Sequence, residues 1–454
     1  MTRLTRHTVR IHGERSVRAP ATLGQRSIWV DIDRMMPDTS FYNSTVFTEV
    51  PAGVDLAGVL AALDALVRRH EALRTLFHRD PAGDLVQQVT SDGELPVEVC
   101  EAGADDPDPR ALIDDLERLV RRYRFDHTRD WPIRPAVGAL DGAPRVVITC
   151  LSHAATDYLG GQVVGAELAR LLAGGELPPP SIQPVELAAY ERSEPGGRVQ
   201  ERSLAYWREQ LAITPPAIFR AREPDTPRYA VAALSSGAVK LALEALAIRY
   251  AMSSSVVLLA ATATVLGRRS GTGRVPMVLI AGNRHRPELR GYVGNLVQDV
   301  PATIDVSAED FGAVVRGCWG TAMRAYRSGI SDRQEITALR GALGSVADLS
   351  CYFNDLRQGV GAGQAEPVTA ERLHVAQATS QLTFGAGYEL DELTFFLKAI
   401  EDGPDRVELS VRADTSRVAA AEAAEILRGI EDLLVTVTVT VAADESVLAA
   451  TGAR

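Results

Sequence analysis

The sequence predicts an α/β protein of two lobes, and three observations carry that prediction. Apolar helical periods alternate with short β-branched runs, hairpin signals are few, and a proline-rich break, GGELPPPSIQP (Gly174–Pro184), interrupts the alternation. The chain has 454 residues, 46% hydrophobic and 24% charged, which exceeds the size at which one core usually splits into two. Consecutive prolines cannot continue a helix and stiffen an extended connector, so the sequence places the lobes at 1–180 and 181–454.

Taken in order, the first strong helix is DLAGVLAALDALVRRHEALRTLF. Asp55 is its N-cap, and Leu56, Val59, Leu60, Leu63, Leu66, Val67, Leu73 and Phe77 share one face, which must pack on a sheet. DPAGD (Asp80–Asp84) is a turn between short strands, and GADDPDPR (Gly103–Arg110) is a loop into a helix carried by Leu112, Leu116, Leu119 and Val120. VVITCL (Val146–Leu151) is a buried strand. The helix after it carries Leu159, Val163, Leu168, Leu171 and Leu172 on its period until Gly174 and Gly175 stop it. Beyond the break, SLAYWREQLA is helical and so is LALEALAIRYAMSSSVVLLAATATVLGRRS, in which Ser253, Ser254 and Ser255 either line a pocket or cap two shorter helices. VPMVLIAG and LSCYFNDL (Leu349–Leu356) are strands, GVGAGQAEP (Gly359–Pro367) is a flexible loop, and LLVTVTVTVAA is ambiguous between helix end and strand.

Composition narrows the partners. A net charge of −11 argues against a nucleic-acid surface, which needs a clustered excess of Lys and Arg; the basic N-terminal RLTRHTVRIHGERSVR is too short to supply it. That segment lacks the apolar core of a secretory signal, and no long uncharged apolar stretch follows, so the expectation is a cytoplasmic protein without a membrane partner. Cys100, Cys150, Cys318 and Cys351 show neither zinc spacing nor a disulfide framework and are read as buried thiols, with no metal site. Lys240 and Lys398 are the only lysines, which disfavours Schiff-base chemistry. Trp29, Trp131, Trp207 and Trp319 are dispersed and read as core residues.

VVITCL runs into SHAATDYLGG (Ser152–Gly161), which puts His153 and Asp157 at the junction of a buried strand and a helix. A histidine there can act as a general base near neutral pH, and a carboxylate on the next turn can pair with a distant arginine. From these residues alone, His153 is either that base or a structural turn histidine, and Asp157 is either a paired carboxylate or an N-cap. Ser152 is not read as a nucleophile, because neighbours at a strand end point to opposite faces and no G-x-S-x-G elbow is present. GNRHRPELRG places Arg284 beside His285 and Arg286, as a pairing partner or as part of a solvated run.

The segments around this junction resemble the condensation domains of nonribosomal peptide synthetases, members of the chloramphenicol-acetyltransferase-like superfamily with the signature H-H-x-x-x-D-G. ATLGQRSIWV (Ala21–Val30) looks like the family's first motif, and RRHEALRTLF (Arg68–Phe77) is close to R-H-E-x-L-R-T-x-F. YRFDHTRDWPIRP (Tyr123–Pro135) is similar to the F-D-x-x-x-x-x-P-[LI]-R segment, LAYWREQLA (Leu204–Ala212) to Y-W-x-x-x-L, and GNRHRPELRGYVGNLVQDVPATI (Gly282–Ile304) to the G-x-x-x-N-x-x-x-x-R-V region. Each is weak alone; in this order they are strong.

The resemblance implies an α+β sandwich built as two acetyltransferase-like lobes in a V-shaped pseudo-dimer, with the histidine midway along a tunnel between them. His153 takes the second-histidine position, as base or orienter of the nucleophile. Asp157 takes the structural carboxylate position, Arg284 is the guanidinium for a buried bidentate pair, and Asn354 is a candidate tunnel residue. Ser152 stands where the motif has its first, structural histidine, and Tyr158 stands where it has glycine, adding bulk and a hydroxyl at the tunnel. The implied activity, in natural-product biosynthesis, is acyl transfer from a carrier-protein thioester to an amine by a free-standing enzyme. Ester formation with an alcohol is the second reading, and a catalytically silent partner-binding scaffold the third. No cofactor is permanently bound in this reading. An acyl or peptidyl carrier protein supplies the phosphopantetheine thioester, and the acceptor is a small molecule or rides on a second carrier.

Overall fold

A computed structural model describes residues 3–102, 109–180, 182–357, 368–389 and 393–451; the expected loop at Gly359–Pro367 and most of that at Gly103–Arg110 lie outside the described residues. The architecture is mixed α/β and divides into two compact units. The first comprises Met1–Arg202, Gly282–Gln298 and Ile330–Glu335, and the second Ser203–Ala281, Asp299–Gly329 and Ile336–Arg454.

In the first unit the chain order is β1 (Arg3–His12), β2 (Val17–Pro20), α1 (Leu23–Arg34), β3 (Asn43–Glu49), α2 (Leu56–Arg69), β4 (Thr75–Arg79), β5 (Leu85–Val89) and β6 (Asp92–Ala102). It continues through α3 (Pro109–Arg121), β7 (Ile133–Leu140), β8 (Ala143–Ser152), α4 (Tyr158–Leu172), α5 (Pro184–Glu191) and α6 (Glu194–Ile213), whose end belongs to the second unit. A five-stranded sheet has the order β1-β6-β7-β8-β3, and a small second sheet the order β2-β5-β4. Burial on both faces explains why VVITCL is apolar without alternation. Val147 and Leu151 of β8 join Leu63 and Leu66 of α2 and Val164 and Leu168 of α4 in one core. Val146, Ile148 and Cys150 face Leu116 and Val120 of α3 in another.

The second unit continues with β9 (Tyr229–Ser236), α7 (Gly237–Tyr250), α8 (Ser254–Ser270), β10 (Arg274–Ala281), β11 (Gln298–Asp305), α9 (Phe311–Arg327), α10 (Arg333–Leu343), whose first turn belongs to the first unit, and β12 (Cys351–Asp355). It closes with α11 (Ala370–Ala378), β13 (Gln381–Tyr388), β14 (Phe395–Glu401), β15 (Val407–Asp414) and α12 (Ala420–Thr451). Its seven-stranded sheet has the order β11-β10-β12-β14-β15-β9-β13.

Several local expectations are revised. The proline run is not where the units divide, because α5 packs back on the first unit: Leu187 and Tyr190 meet Leu289, Tyr292 and Leu296, and the Glu191 carboxylate accepts the Leu23 N–H at 2.8 Å. The helix from Asp55 ends at Arg69. Thr75–Arg79 instead pair antiparallel with Leu85–Val89, so Leu73 and Phe77 are buried outside the helix. The long apolar segment of the second unit breaks at Ala251, which has a positive φ of 51°, and Ser253 caps α8 through the Val256 N–H. LLVTVTVTVAA is helical. Leu433, Leu434 and Val435 are buried, while the Thr438 and Thr440 hydroxyls donate to carbonyls one turn back, at 2.7 and 2.9 Å. Trp319, on α9, is exposed and not a core residue. All four cysteines are buried free thiols.

Candidate active site at the end of β8

Ser152 pairs with Asn43 across β8 and β3, and its N–H donates to the Pro132 carbonyl at 3.0 Å. Its carbonyl accepts the N–H groups of Ala155 and Thr156, while the His153 N–H donates to the Tyr42 carbonyl at 2.9 Å. These bonds fold residues 152–156 into a fixed turn. Gly160 allows the helix to start against it, because a Cβ there would stand 2.0 Å from the Thr156 hydroxyl.

Asp157 is both an N-cap and half of an ion pair. One oxygen accepts the Gly160 N–H at 2.8 Å; the other accepts the Arg284 Nη1 at 2.7 Å and the Leu296 N–H at 2.9 Å. The Asp157 side chain is wholly buried and that of Arg284 is 8% exposed, so Arg284 is not a solvated loop residue. The pair is joined through one nitrogen, in place of the expected bidentate geometry. Arg284 spends Nη2 on the Tyr292 and Gly294 carbonyls, at 3.2 and 3.4 Å. The carboxylate therefore ties the Gly282–Leu296 segment to the turn.

His153 is half-buried. Burial pushes its pKa below the ordinary histidine value, against the raising influence of the Asp157 carboxylate, so the ring is neutral at pH 7. A neutral imidazole is the form that can accept a proton. Asn295, buried beside it, donates Nδ2 to the His153 carbonyl at 3.1 Å and lies 3.4 Å from Nδ1. The Val297 N–H donates to the Asn295 Oδ1 at 2.9 Å, which fixes which end of the amide faces the histidine. Tyr158 begins α4 with its side chain 40% exposed, and Asn354 is half-buried on β12 of the second unit, in register with Lys398 of β14. Among the described residues no cluster of three or more His, Cys, Asp and Glu side chains is placed to hold a metal ion.

Residues 16–341 match the family model of the condensation domain. The chain belongs to the condensation domain family. It is 28% identical over 329 residues to a linear gramicidin synthase protein of Brevibacillus parabrevis, an alignment covering 69% of this chain and 4% of that protein. With the nonribosomal peptide synthetase penN of Penicillium thymicola it shares 29% over 313 residues, 65% of this chain and 11% of the relative. The chain thus spans a small part of the length of these curated relatives. Among solved structures, the condensation domain that mediates chain release from the enacyloxin polyketide synthase superposes with a TM-score of 0.71 at 22% identity, covering 93% of this chain and 82% of that one. The X-domain from teicoplanin biosynthesis, in complex with OxyB, gives 0.68 at 21% identity, covering 94% of both chains.

Condensation-domain motifs located His153, Asp157 and Arg284, while two of their neighbours were not singled out. Asn295 had one signal, its place as the asparagine of G-x-x-x-N in Gly291–Asn295, and Gly24 of the first motif packs so closely on it that a Cβ would lie 2.1 Å from its carbonyl oxygen. His127 had none. Its Nε2 is 2.7 Å from the Ser152 hydroxyl, both residues are buried, and burial pushes the imidazole pKa down to about 4.

Proposed function

We propose that this condensation domain transfers an acyl group from the phosphopantetheine thioester of a carrier protein to an amine, forming an amide, with His153 as the proton-handling group. The observation that carries the reading is a half-buried imidazole at the end of β8, on a turn anchored by the Asp157–Arg284 pair, with burial pushing its pKa down. As the amine attacks the thioester carbonyl, a C–N bond forms and the carbonyl becomes a tetrahedral oxyanion. His153 accepts the amine proton. Collapse breaks the C–S bond, and the imidazolium returns the proton to the departing pantetheine thiolate. Asp157 and Arg284 hold the turn and touch no reacting atom in this scheme. Tyr158 stands at the mouth of α4 as a candidate acceptor-side residue.

Intact-mass analysis of an acyl-loaded carrier protein, mixed with the chain and a panel of amines and alcohols, tests the proposal. Loss of the acyl mass from the carrier together with an amide product is expected. Ester products alone would transfer the reading to O-acylation, and an untouched carrier across the panel would leave a binding scaffold. His153→Ala should lower turnover about 10²- to 10⁴-fold, the usual worth of general-base assistance, with an unchanged Tm.

A further inference from the structure

We infer that His127 is a positioning residue for His153, supplying through Ser152 the imidazole that the family motif H-H-x-x-x-D-G carries at position 152; the inference rests on the proposed role of His153. Ser152 is too short to fill the space of a histidine, and the space beside it is filled by another imidazole. His127 enters from the segment between α3 and β7, with its ring among Trp29, Phe77 and Phe125 at centroid distances of 5.4, 6.3 and 5.9 Å. Its carbonyl accepts the Phe77 N–H at 2.8 Å, which joins the segment to β4. The Ser152 hydroxyl lies 2.7 Å from Nε2 and accepts the Ala154 N–H at 3.3 Å, so the residues on both sides of His153 are tied to one buried ring. Together Ser152 and His127 supply a volume and a hydrogen bond that neither gives alone. Among the described residues the His127 Nδ1 has no hydrogen-bond partner, and the ring's polar attachment to them is the Ser152 hydroxyl.

A double-mutant cycle on the full chain tests this, with His127→Leu, Ser152→His and the double variant. Each single change should lower Tm by roughly 4 to 8 °C, one by orphaning a buried hydroxyl and the other by overpacking. The double should recover most of that loss. In transfer assays His127→Leu should lower kcat roughly 10-fold at constant KM, since a small displacement of a catalytic group is enough to do so, and the double should restore it. Should Ser152→His fail to fold, the cycle of Ser152→Ala with His127→Leu serves, and there the double should lose no more than the worse single. Additive losses would overturn the pairing. A His127→Leu variant with lowered Tm, intact kcat and an unmoved His153 ring signal by NMR would overturn the positioning role. The thermal and NMR arms need no substrate, so they decide the inference even if the chain transfers no acyl group.

Discussion

Each unit ends a strand on a carboxylate-bearing turn ahead of a helix: β8 leads through Asp157 into α4, and β15 ends at Asp414 ahead of α12. The second turn has the better ion-pair geometry, because Arg228 meets both oxygens of Asp414, at 3.2 and 2.7 Å. Arg284 reaches one oxygen of Asp157. Exposure reverses the ranking: Arg228 is half exposed, whereas the Asp157–Arg284 pair is shut away from water. Environment and not fork geometry decides what each pair is worth, since a charge held in water has an alternative partner and a buried one has none.

The largest expected effect breaks the buried pair. Arg284→Ala leaves the Asp157 carboxylate with only backbone donors, and Asp157→Ala leaves a buried guanidinium on carbonyls alone. Each should destabilise the chain by about 3 to 5 kcal/mol, read as a shift in urea midpoint at unchanged slope. Transfer by the surviving folded fraction should fall less than in His153→Ala, because the pair acts on the turn and not on the reacting atoms.

Two buried titratable groups of the first unit sharpen the contrast at intermediate size. His127 takes its proton near 6.5 when unfolded and about 4 when folded, so its contribution is full above pH 6.5 and is lost as pH falls to 4. Glu191 has the opposite sign. Burial raises it from 4.5 to about 7, so the folded chain binds the proton more tightly and stability is gained as pH falls from 7 to 4.5. Each effect is on the order of 3 kcal/mol and the two oppose one another in nearly one window. Relative to the parent chain, Glu191→Gln should therefore lose stability between pH 7 and 4.5, and His127→Leu should gain it over a similar range. Urea midpoints at pH 7, 5.5 and 4.5 read both slopes, and slopes of the same sign would refute the assignment.

How much of this was legible in the sequence depended on the distance over which each interaction acts. The cap at Asp157 joins residues three positions apart, and the apolar run of β8 reflects its own two buried faces. Both are local signals. Leu73 and Phe77 continue the period of α2 and so imitate a longer helix, while the ladder from β4 to β5 that overrides this pattern lies downstream. Arg284 is 127 residues from Asp157 and was found through motif order, which stands in for a contact that no local pattern encodes. Asn295, 142 residues from its partner, falls on the asparagine of the same motif region, whereas His127, 25 residues from its own, had no such substitute. The motif marked Ser152 as a departure, but what compensates it is visible only in three dimensions.

The smallest expected effect closes the comparison. Arg228→Ala removes the two-pronged partner of Asp414, which keeps the Ser416 N–H at 2.9 Å. With one member half in water, the pair should contribute about 1 kcal/mol or less, and raising the salt should erode part of that. The Arg284→Ala loss should be nearly insensitive to salt, because the buried pair is screened weakly. Urea midpoints of the two variants at low and high ionic strength separate these cases. An Arg228→Ala loss as large and as salt-independent as that of Arg284→Ala would mean that fork geometry outweighs burial, and the ranking of the two turns would reverse.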